Sequence, residues 1–428
     1  MSVFNRFETL QVHAGHTQDP ATGACATPLY QTASFCFDNM DHAARLFQLQ
    51  QEGHIYSRLS NPTVAVLEER VAALEQCTAA LAVSSGQAAH FLVFESLAQP
   101  GDNIITFPAL YGGTYTLFRD RFRSLGIEVR FADGQEPHHA KALIDDRTKG
   151  VFTETIANSN YHVPHFDFLA EFCLKKRIPL IVDNTFGGGG YLFRPAEYGA
   201  ALVTHSATKW LGGHGNSIAG IIAEAGTFPW DSGRFPHFEE PCASYNNLNF
   251  LTAFKDRTFC ARARALALRD FGCCLSPFNA WLILQGTETL SLRMQRAMDN
   301  ALELARWLQS QKQVENVQYP GLKTHPSYEN ARKYFTKGSG SVLSFTLKGD
   351  RSQTAAFVER LQLITHLVNV GDNKTLIAHP ASTTHGQMTD TQLRTAGINP
   401  GTLRLSAGIE HIDDIKSDLE RSLKKIPL

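Results

Sequence analysis

Seven short apolar runs recur between residues 79 and 223: AALAV at 79–83, NIITF at 103–107, EVRFA at 128–132, GVFTE at 150–154, PLIVD at 179–183, ALVTH at 201–205 and IAGIIA at 218–223. The first six start 24, 25, 22, 29 and 22 residues apart, which leaves room for one helix between successive strands. That rhythm predicts an α/β fold with a mainly parallel seven-stranded sheet and right-handed crossovers. The last gap, residues 206–217, is only 12 residues long and contains Gly212, Gly213 and Gly215. A helical crossover does not fit there, so the seventh strand is expected to run antiparallel.

The regions on either side read differently. Residues 1–62 form a polar, irregular stretch with Pro20, Pro28 and Pro62, read as an N-terminal arm that wraps around something else. The sheet domain is placed at 63–270 and contains a long aromatic- and proline-rich segment at 227–250, expected to be an ordered loop. Residues 271–428 read as a smaller C-terminal α+β domain. Leu292, Met298, Leu302, Ala305 and Leu308 mark one face of a helix, and Leu343, Phe345 and Leu347 alternate in a strand.

Bulk properties narrow the function. Forty Lys and Arg balance 41 Asp and Glu, a formal net charge of −1, so neither nucleic acid nor an anionic membrane is an expected partner. Any bound anion must be held locally. The 43% hydrophobic content supports a large core without staples. The eight cysteines form no CxxC pair or tight Cys/His cluster, which argues for a reduced interior and no metal. With no apolar signal core at the start and no apolar run of membrane-spanning length, a cytoplasmic protein is expected.

Three sites carry chemistry when taken together. SSGQAAH at 84–90 follows the first strand and opens a helix, where small residues let backbone amides meet a phosphate. Alone it could be an ordinary tight turn, and it matches neither GxGxxG nor the GK[ST] phosphate loop. Asp183 ends the run IPLIVD, at the sheet edge where α/β proteins bind ligands, although an Asp there also suits a helix cap. Ser206, Thr208 and Lys209 follow the next strand. A single lysine is ordinarily a solvated one. A phosphate cradle, a carboxylate and a lysine at one sheet edge are, however, the three requirements of pyridoxal phosphate: a phosphate grip, an acid partner for the ring nitrogen, and a Schiff-base amine.

Other residues fit around that core. Tyr111 in PALYGGTY suits stacking on the pyridine face or a plain interfacial position. Tyr56 and Arg58 in YSRLSNPT lie outside the sheet domain, so Arg58 suits a phosphate best if the arm reaches a neighbouring subunit; the bland reading is a surface turn. Arg404 in TLRLSAGIE suits a bidentate clamp on a substrate carboxylate or a surface strand position. The 17 histidines show no HExxH spacing, and His214 and His385 read as structural or exposed.

The motifs YSRLSNPT, AVSSGQAA, PALYGGTY, VDNTF, HSATKWLGGHG and LRLSAGIE, in this order, resemble the Cys/Met metabolism family of pyridoxal-phosphate enzymes over nearly the whole chain. FETLQVHAG, HTQDPATGACATPLYQTASF, GGYLFRP, the aromatic insertion after residue 226 and HLVNVGDNKTLIAHPASTTH look like its O-acetylhomoserine sulfhydrylase branch. The resemblance implies the fold type I of pyridoxal-phosphate transferases, aspartate-aminotransferase-like, and a homotetramer of active-site dimers. It implies that Lys209 is the Schiff-base lysine, that Asp183 pairs with the ring nitrogen, and that Tyr111 stacks on the ring and acts as a second acid/base. It further implies cofactor contacts from Ser85, Gly86, Gln87, Thr185, Ser206 and Thr208, with Tyr56 and Arg58 supplied by the partner subunit. Asn158 then faces the phenolic oxygen, and Asn369 with Arg404 holds the substrate carboxylate. The implied activity is γ-replacement on O-acetyl-L-homoserine with sulfide or a thiol, a transferase step of methionine biosynthesis giving homocysteine or methionine and acetate.

This chain departs from the family pattern at Ala157 and Ser159, beside Asn158, and at Asn216 and Ala219, beyond the lysine loop. These leave open a methionine γ-lyase, a cystathionine γ-synthase-like activity or another nucleophile. From other classes, an inactive binding relative is opposed by the intact Lys209, Asp183, Tyr111 and Arg404, and a nucleotide-binding oxidoreductase by the missing glycine fingerprint.

Overall fold

The computed structural model describes residues 5–383, 399 and 401–426. His385 lies outside the described residues. The chain divides into two compact units. The first holds the described residues up to Thr155 with Pro164–Gly212 and Asn216–Thr289; the second holds Ile156–Val163, Gly213–Gly215 and the described residues from Leu290 on.

The first unit is built on one sheet of β1 (Ala79–Val83), β2 (Asn103–Thr106), β3 (Glu128–Phe131), β4 (Thr148–Glu154), β5 (Leu180–Asp183), β6 (Leu202–Ser206) and β7 (Gly220–Glu224). The order is β1-β7-β6-β5-β4-β2-β3. From β6 to β3 every neighbouring pair is parallel, and β7 is antiparallel to both β6 and β1. The expected seven runs all become strands, with no end shifted by more than two residues. The reversed strand is the one that follows the short glycine-bearing gap. Every residue of β2, β5 and β7 is buried, which is why their sequences read as unbroken apolar runs rather than alternating ones.

Helices close the sheet. Pro62–Glu75 starts with Pro at its first turn and Asn61 as cap, the Asn61 side chain accepting from the Thr63 amide at 2.9 Å. Gly86–Leu97 buries Leu92, Val93, Phe94 and Leu97 completely. Phe94 meets Phe118 and Phe152 edge to face, with centroids 5.4 and 6.0 Å apart. The 227–250 segment is pinned by its aromatics: Trp230 stacks on Phe238 and Phe259 at 4.9 and 5.5 Å and donates to the buried Glu224 at 3.0 Å. The arm contributes two short helices, Phe7–His13 and Met40–Phe47, that the irregular sequence does not announce.

The second unit carries a sheet of β8 (Val314–Gln318), β9 (Val342–Leu347), β10 (Thr365–His366), β11 (Leu376–Ala378) and β12 (Thr402–Ser406), in the order β10-β11-β12-β9-β8. The helices Leu290–Gln309 and Ile412–Leu423 share an apolar core with it. Leu292, expected on the buried face of the first of these, is 71% exposed. The buried stripe runs through Leu290, Met294, Ala301, Leu304 and Leu308, and a residue two positions from both Leu290 and Met294 falls on the opposite side of the helix.

Candidate active site

Because β1, β2, β4, β5 and β6 all point the same way, their C-terminal ends gather at one edge of the first unit's sheet. At the end of β1, the Ser84 amide donates to the Cys273 carbonyl at 2.8 Å, and the Ser85 hydroxyl caps the following helix by accepting from the Ala88 amide at 3.1 Å. Two glycines allow the turn to press onto its neighbours. A Cβ on Gly86 would sit 2.9 Å from Ser206 Cβ and 3.0 Å from its Cα, and one on Gly220 would sit 2.0 Å from the Ser85 carbonyl oxygen. What results is a helix N-terminus held against β6 and β7 by backbone, the geometry that receives a phosphate.

Asp183, the last residue of β5, is 9% exposed. Its Oδ1 accepts from the Thr185 amide at 2.9 Å and the Thr185 hydroxyl at 2.5 Å, and its Oδ2 lies 3.2 Å from His90 Nε2. Burial works to keep the proton on, but His90 and Thr185 outweigh it and hold the carboxyl below its ordinary pKa. Thr185 also ties β5 to β6, its hydroxyl oxygen accepting from the Ser206 amide at 2.8 Å. Beneath this turn the Asn184 amide donates to Glu75 and to the Phe193 carbonyl, both at 2.8 Å, and Glu75 lies 2.7 Å from His205. Asn184, Glu75 and His205 are each at most 1% exposed, so the acid's platform is rigidly packed.

Lys209 is half-buried in the turn after β6, where its amide donates to the Ser206 carbonyl at 3.2 Å. The Thr208 hydroxyl accepts from the Ala219 amide at 3.1 Å and faces the Ala219 carbonyl at 3.3 Å, clamping the lysine turn to the chain entering β7. Tyr111, 44% exposed, follows β2; its amide donates to Glu154 at 2.6 Å, and Gly113 leaves room for its ring, whose Cε1 would lie 2.6 Å from a Cβ there. The Gln87 side-chain amide donates to the Thr114 hydroxyl at 3.0 Å, and that hydroxyl lies 3.3 Å from His90 Nδ1. Ser85, Gly86, Gln87, Tyr111, Asp183, Thr185, Ser206, Thr208 and Lys209 are thus placed on one edge. Tyr56 and Arg58 make their contacts elsewhere: the Arg58 guanidinium stacks 5.5 Å from the Tyr56 ring and donates to the Arg269 carbonyl.

Asn158 and Arg404 belong to the second unit, where Arg404 Nη1 donates to Asn158 Oδ1 at 3.1 Å. Leu403 and Leu405 point into the core and are fully buried, so Arg404 stands on the polar face of β12, opposite Ser344 on β9. Tyr161 packs on the same face with positive φ, 57°, and is 1% exposed. Burial, eased by Arg404 and Ser344, pushes its phenol up to about 12. Asn369 is half-buried, two residues before Gly371, whose amide donates to the Ser406 hydroxyl at 3.0 Å. Glu154, Thr114, His90 and Tyr161 were not marked as site residues in the sequence. His90 stands three positions after Gln87, on the same helix face, but its pairing with Asp183 joins residues 93 positions apart and leaves no local signal.

Residues 8–424 match the Cys/Met metabolism PLP-dependent enzyme family, and the chain belongs to that family. It is 50% identical to the O-acetyl-L-homoserine sulfhydrylase 1 of Thermus thermophilus over 98% of this chain and 100% of that protein. It is 48% identical to a homocysteine synthase of Schizosaccharomyces pombe, over 98% of each. Among solved structures, a putative O-acetylhomoserine (thiol)-lyase from Campylobacter jejuni, carrying an N'-pyridoxyl-lysine-5'-monophosphate, superposes with a TM-score of 0.94 at 36% identity, covering 99% of this chain and 100% of that one. The edge residues fit pyridoxal phosphate. The glycine-lined cradle that a Cβ would fill suits the phosphate, the buried Asp183 held as an anion suits a protonated ring nitrogen, and the Lys209 side chain, in the turn after β6, is an amine of the kind an aldehyde cofactor needs.

Proposed function

We propose that this chain catalyses γ-replacement on O-acetyl-L-homoserine with sulfide, giving L-homocysteine and acetate. The observation that carries the reading is the convergence of the phosphate-type cradle, Asp183 and Lys209 on one sheet edge, in a chain half identical to a sulfhydrylase. The Cγ–O bond breaks with its electron pair leaving on acetate, and sulfide forms the new Cγ–S bond. Bound pyridoxal phosphate supplies an electrophilic carbon for the substrate amine and a ring that accepts the electron pair of a broken Cα–H bond.

The remaining work belongs to side chains. Lys209 holds the cofactor at rest, then takes the Cα proton; a Cβ proton is removed next, its electron pair forming the bond to Cγ as acetate leaves, and after sulfide adds at Cγ the protons return to Cβ and Cα. Asp183 keeps the ring nitrogen protonated. Gly86 and Gln87 through their backbone, with Ser85, Ser206 and Thr208, receive the phosphate, and Tyr56 and Arg58 of a second copy complete it in a homotetramer of active-site dimers. Tyr111 stacks on the ring and moves a proton near the leaving acetate. Arg404, in contact with Asn158 and assisted by Asn369, receives the α-carboxylate, and Asn158 serves the cofactor's phenolic oxygen. Among the described residues no helix is long and apolar enough to cross a membrane; we place the enzyme in the cytoplasm.

Lys209→Ala is expected to lose both turnover and the imine absorbance band; normal turnover in this variant overturns the assignment. Product mass analysis of O-acetylhomoserine with and without sulfide tests the nucleophile. Homocysteine formed only with sulfide supports the reading, whereas a 2-oxo acid and ammonia without sulfide point to a γ-lyase.

A further inference from the structure

His90 is the one histidine in contact with Asp183 among the described residues, and the function above leaves it without a role. It is 2% exposed, and the edge of its ring packs against Phe152 with centroids 5.1 Å apart. Its Nε2 lies 3.2 Å from Asp183 Oδ2, within ion-pair distance but off the line of a hydrogen bond, and among the described residues this buried nitrogen has no hydrogen-bond partner. Its Nδ1 lies 3.3 Å from the hydroxyl of Thr114, which is fully buried and accepts from the Gln87 side-chain amide at 3.0 Å. The direction of these contacts can be followed from donor to acceptor. Gln87 donates N–H to the Thr114 oxygen, so the Thr114 proton is free to go to His90 Nδ1. An Nδ1 that accepts leaves the ring proton on Nε2, the ring nitrogen nearest the carboxylate.

We propose that His90 is a positioning residue for the cofactor: as the Nε2-protonated neutral imidazole it orients the Asp183 carboxylate and holds it as the anion, with Thr114 and Gln87 fixing that tautomer. The proposal rests on the reading of Asp183 as the ring-nitrogen partner. Thr185 occupies Oδ1 with two donors, while Oδ2 has the His90 ring beside it at 3.2 Å and keeps lone-pair capacity for the ring nitrogen. Gln87 stands one residue inside the phosphate-type helix terminus, so its side chain begins a chain of contacts, through Thr114 and His90 to Asp183, that joins the phosphate end of the cradle to the ring-nitrogen end. Removing the His90 donor makes Asp183 the stronger base, and the proton shared with the ring nitrogen then moves toward the carboxylate.

The test uses the full-length chain with and without cofactor. In 15N-histidine NMR of the apo protein, His90 is expected to show a protonated Nε2 and an unprotonated Nδ1; a doubly protonated ring, or a proton on Nδ1, overturns the proposal. His90→Leu is expected to weaken pyridoxal phosphate binding by about tenfold or more, as loss of a hydrogen bond to a charged group implies. It is also expected to leave 15N-labelled cofactor partly unprotonated at its ring nitrogen and to lower kcat with KM for the amino-acid ester unchanged. His90→Gln, whose amide reaches the same carboxylate as a donor, is expected to restore most of all three. Wild-type affinity and full ring protonation in His90→Leu overturn the proposal. If His90→Leu does not fold, Thr114→Val carries the test: a mixed His90 tautomer with reduced kcat supports the chain of donors, and an unchanged tautomer overturns it. Asp183→Ala separates the two levels. If that variant keeps the ring protonated, the reading of Asp183 fails; if it loses the proton while His90→Leu keeps it, only the role of His90 fails.

Discussion

Gly86→Ala tests whether the cradle depends on backbone contact rather than on side chains. Gly86 does not sit in the left-handed region, so alanine is tolerated by the backbone and only space is at issue. The new methyl would lie 2.9 Å from Ser206 Cβ and 3.0 Å from Ser206 Cα, and ordinary contact begins near 3.4 Å. The helix terminus must therefore retreat from β6 by roughly half an ångström, at the cost of about 1–3 kcal/mol typical of overpacking. If that cost falls on the cofactor-bound geometry, affinity for pyridoxal phosphate drops by about 5- to 150-fold, because each 1.4 kcal/mol is tenfold. The assay is titration of apo protein with pyridoxal phosphate, read by the imine absorbance band, alongside the difference in Tm between apo and loaded protein. Gly112→Ala is the control: a Cβ there meets nothing within 4 Å, and cofactor affinity should match wild type. Wild-type affinity together with a wild-type Tm in Gly86→Ala would refute the argument that backbone contact forms the phosphate site.

Three further outcomes follow from the same structure. Arg404→Lys removes the planar fork and its contact with Asn158, so KM for the amino-acid ester should rise about tenfold or more while the cofactor absorbance band stays unchanged. Phe94→Ala should lower unfolding free energy by about 3–5 kcal/mol in a denaturant titration, since the ring is fully buried among Phe118, Phe122 and Phe152. Burial, against three N–H donors from Cys260, Phe259 and Trp230, raises Glu224 from 4.5 to about 7. The folded state then keeps a proton that the unfolded chain releases, so this group's contribution is complete below about 4.5 and declines by about 3 kcal/mol as pH rises to about 7. His237, lowered to about 4 mainly by burial, acts with the opposite sign between about 4 and 6.5, so the effect of Glu224 should be read as the difference between wild type and Glu224→Gln across that range.

The features legible in the sequence were those with a short period or a fixed place on an element. The sheet was legible because buried parallel strands leave runs of apolar residues at a nearly constant spacing, and the reversed β7 because 12 residues cannot hold a crossover helix. Asp183 and Lys209 could be picked out because each directly follows a buried strand, which fixes its edge of the sheet. Leu292 was misplaced because a helix face is set by its register against the core, and a single large apolar residue does not reveal that register. His90, Glu154 and Tyr161 were missed because their significance lies in partners far away along the chain: Asp183 for the first, the Tyr111 amide for the second, and Arg404 with Ser344 for the third. The aromatic insertion was read as ordered, but its anchor on Glu224 was visible only in three dimensions.

The placement of β7 also bears on the order in which the molecule can assemble. Among the described residues β7 is the sheet neighbour that joins β1 to the rest, so β1 has no ladder to enter until residues 220–224 have been made and folded back. The turn at Ser85 and Gly86, although nearly the first part of the sheet domain in the chain, meets Ser206 and Gly220 only after closing a loop of more than a hundred residues. Such closure is among the slower events in folding, because entropy is lost before the contacts that repay it exist. The lysine turn, clamped by Thr208 and Ala219 only 11 residues apart, can form locally, whereas the phosphate cradle is complete only once that long loop has closed.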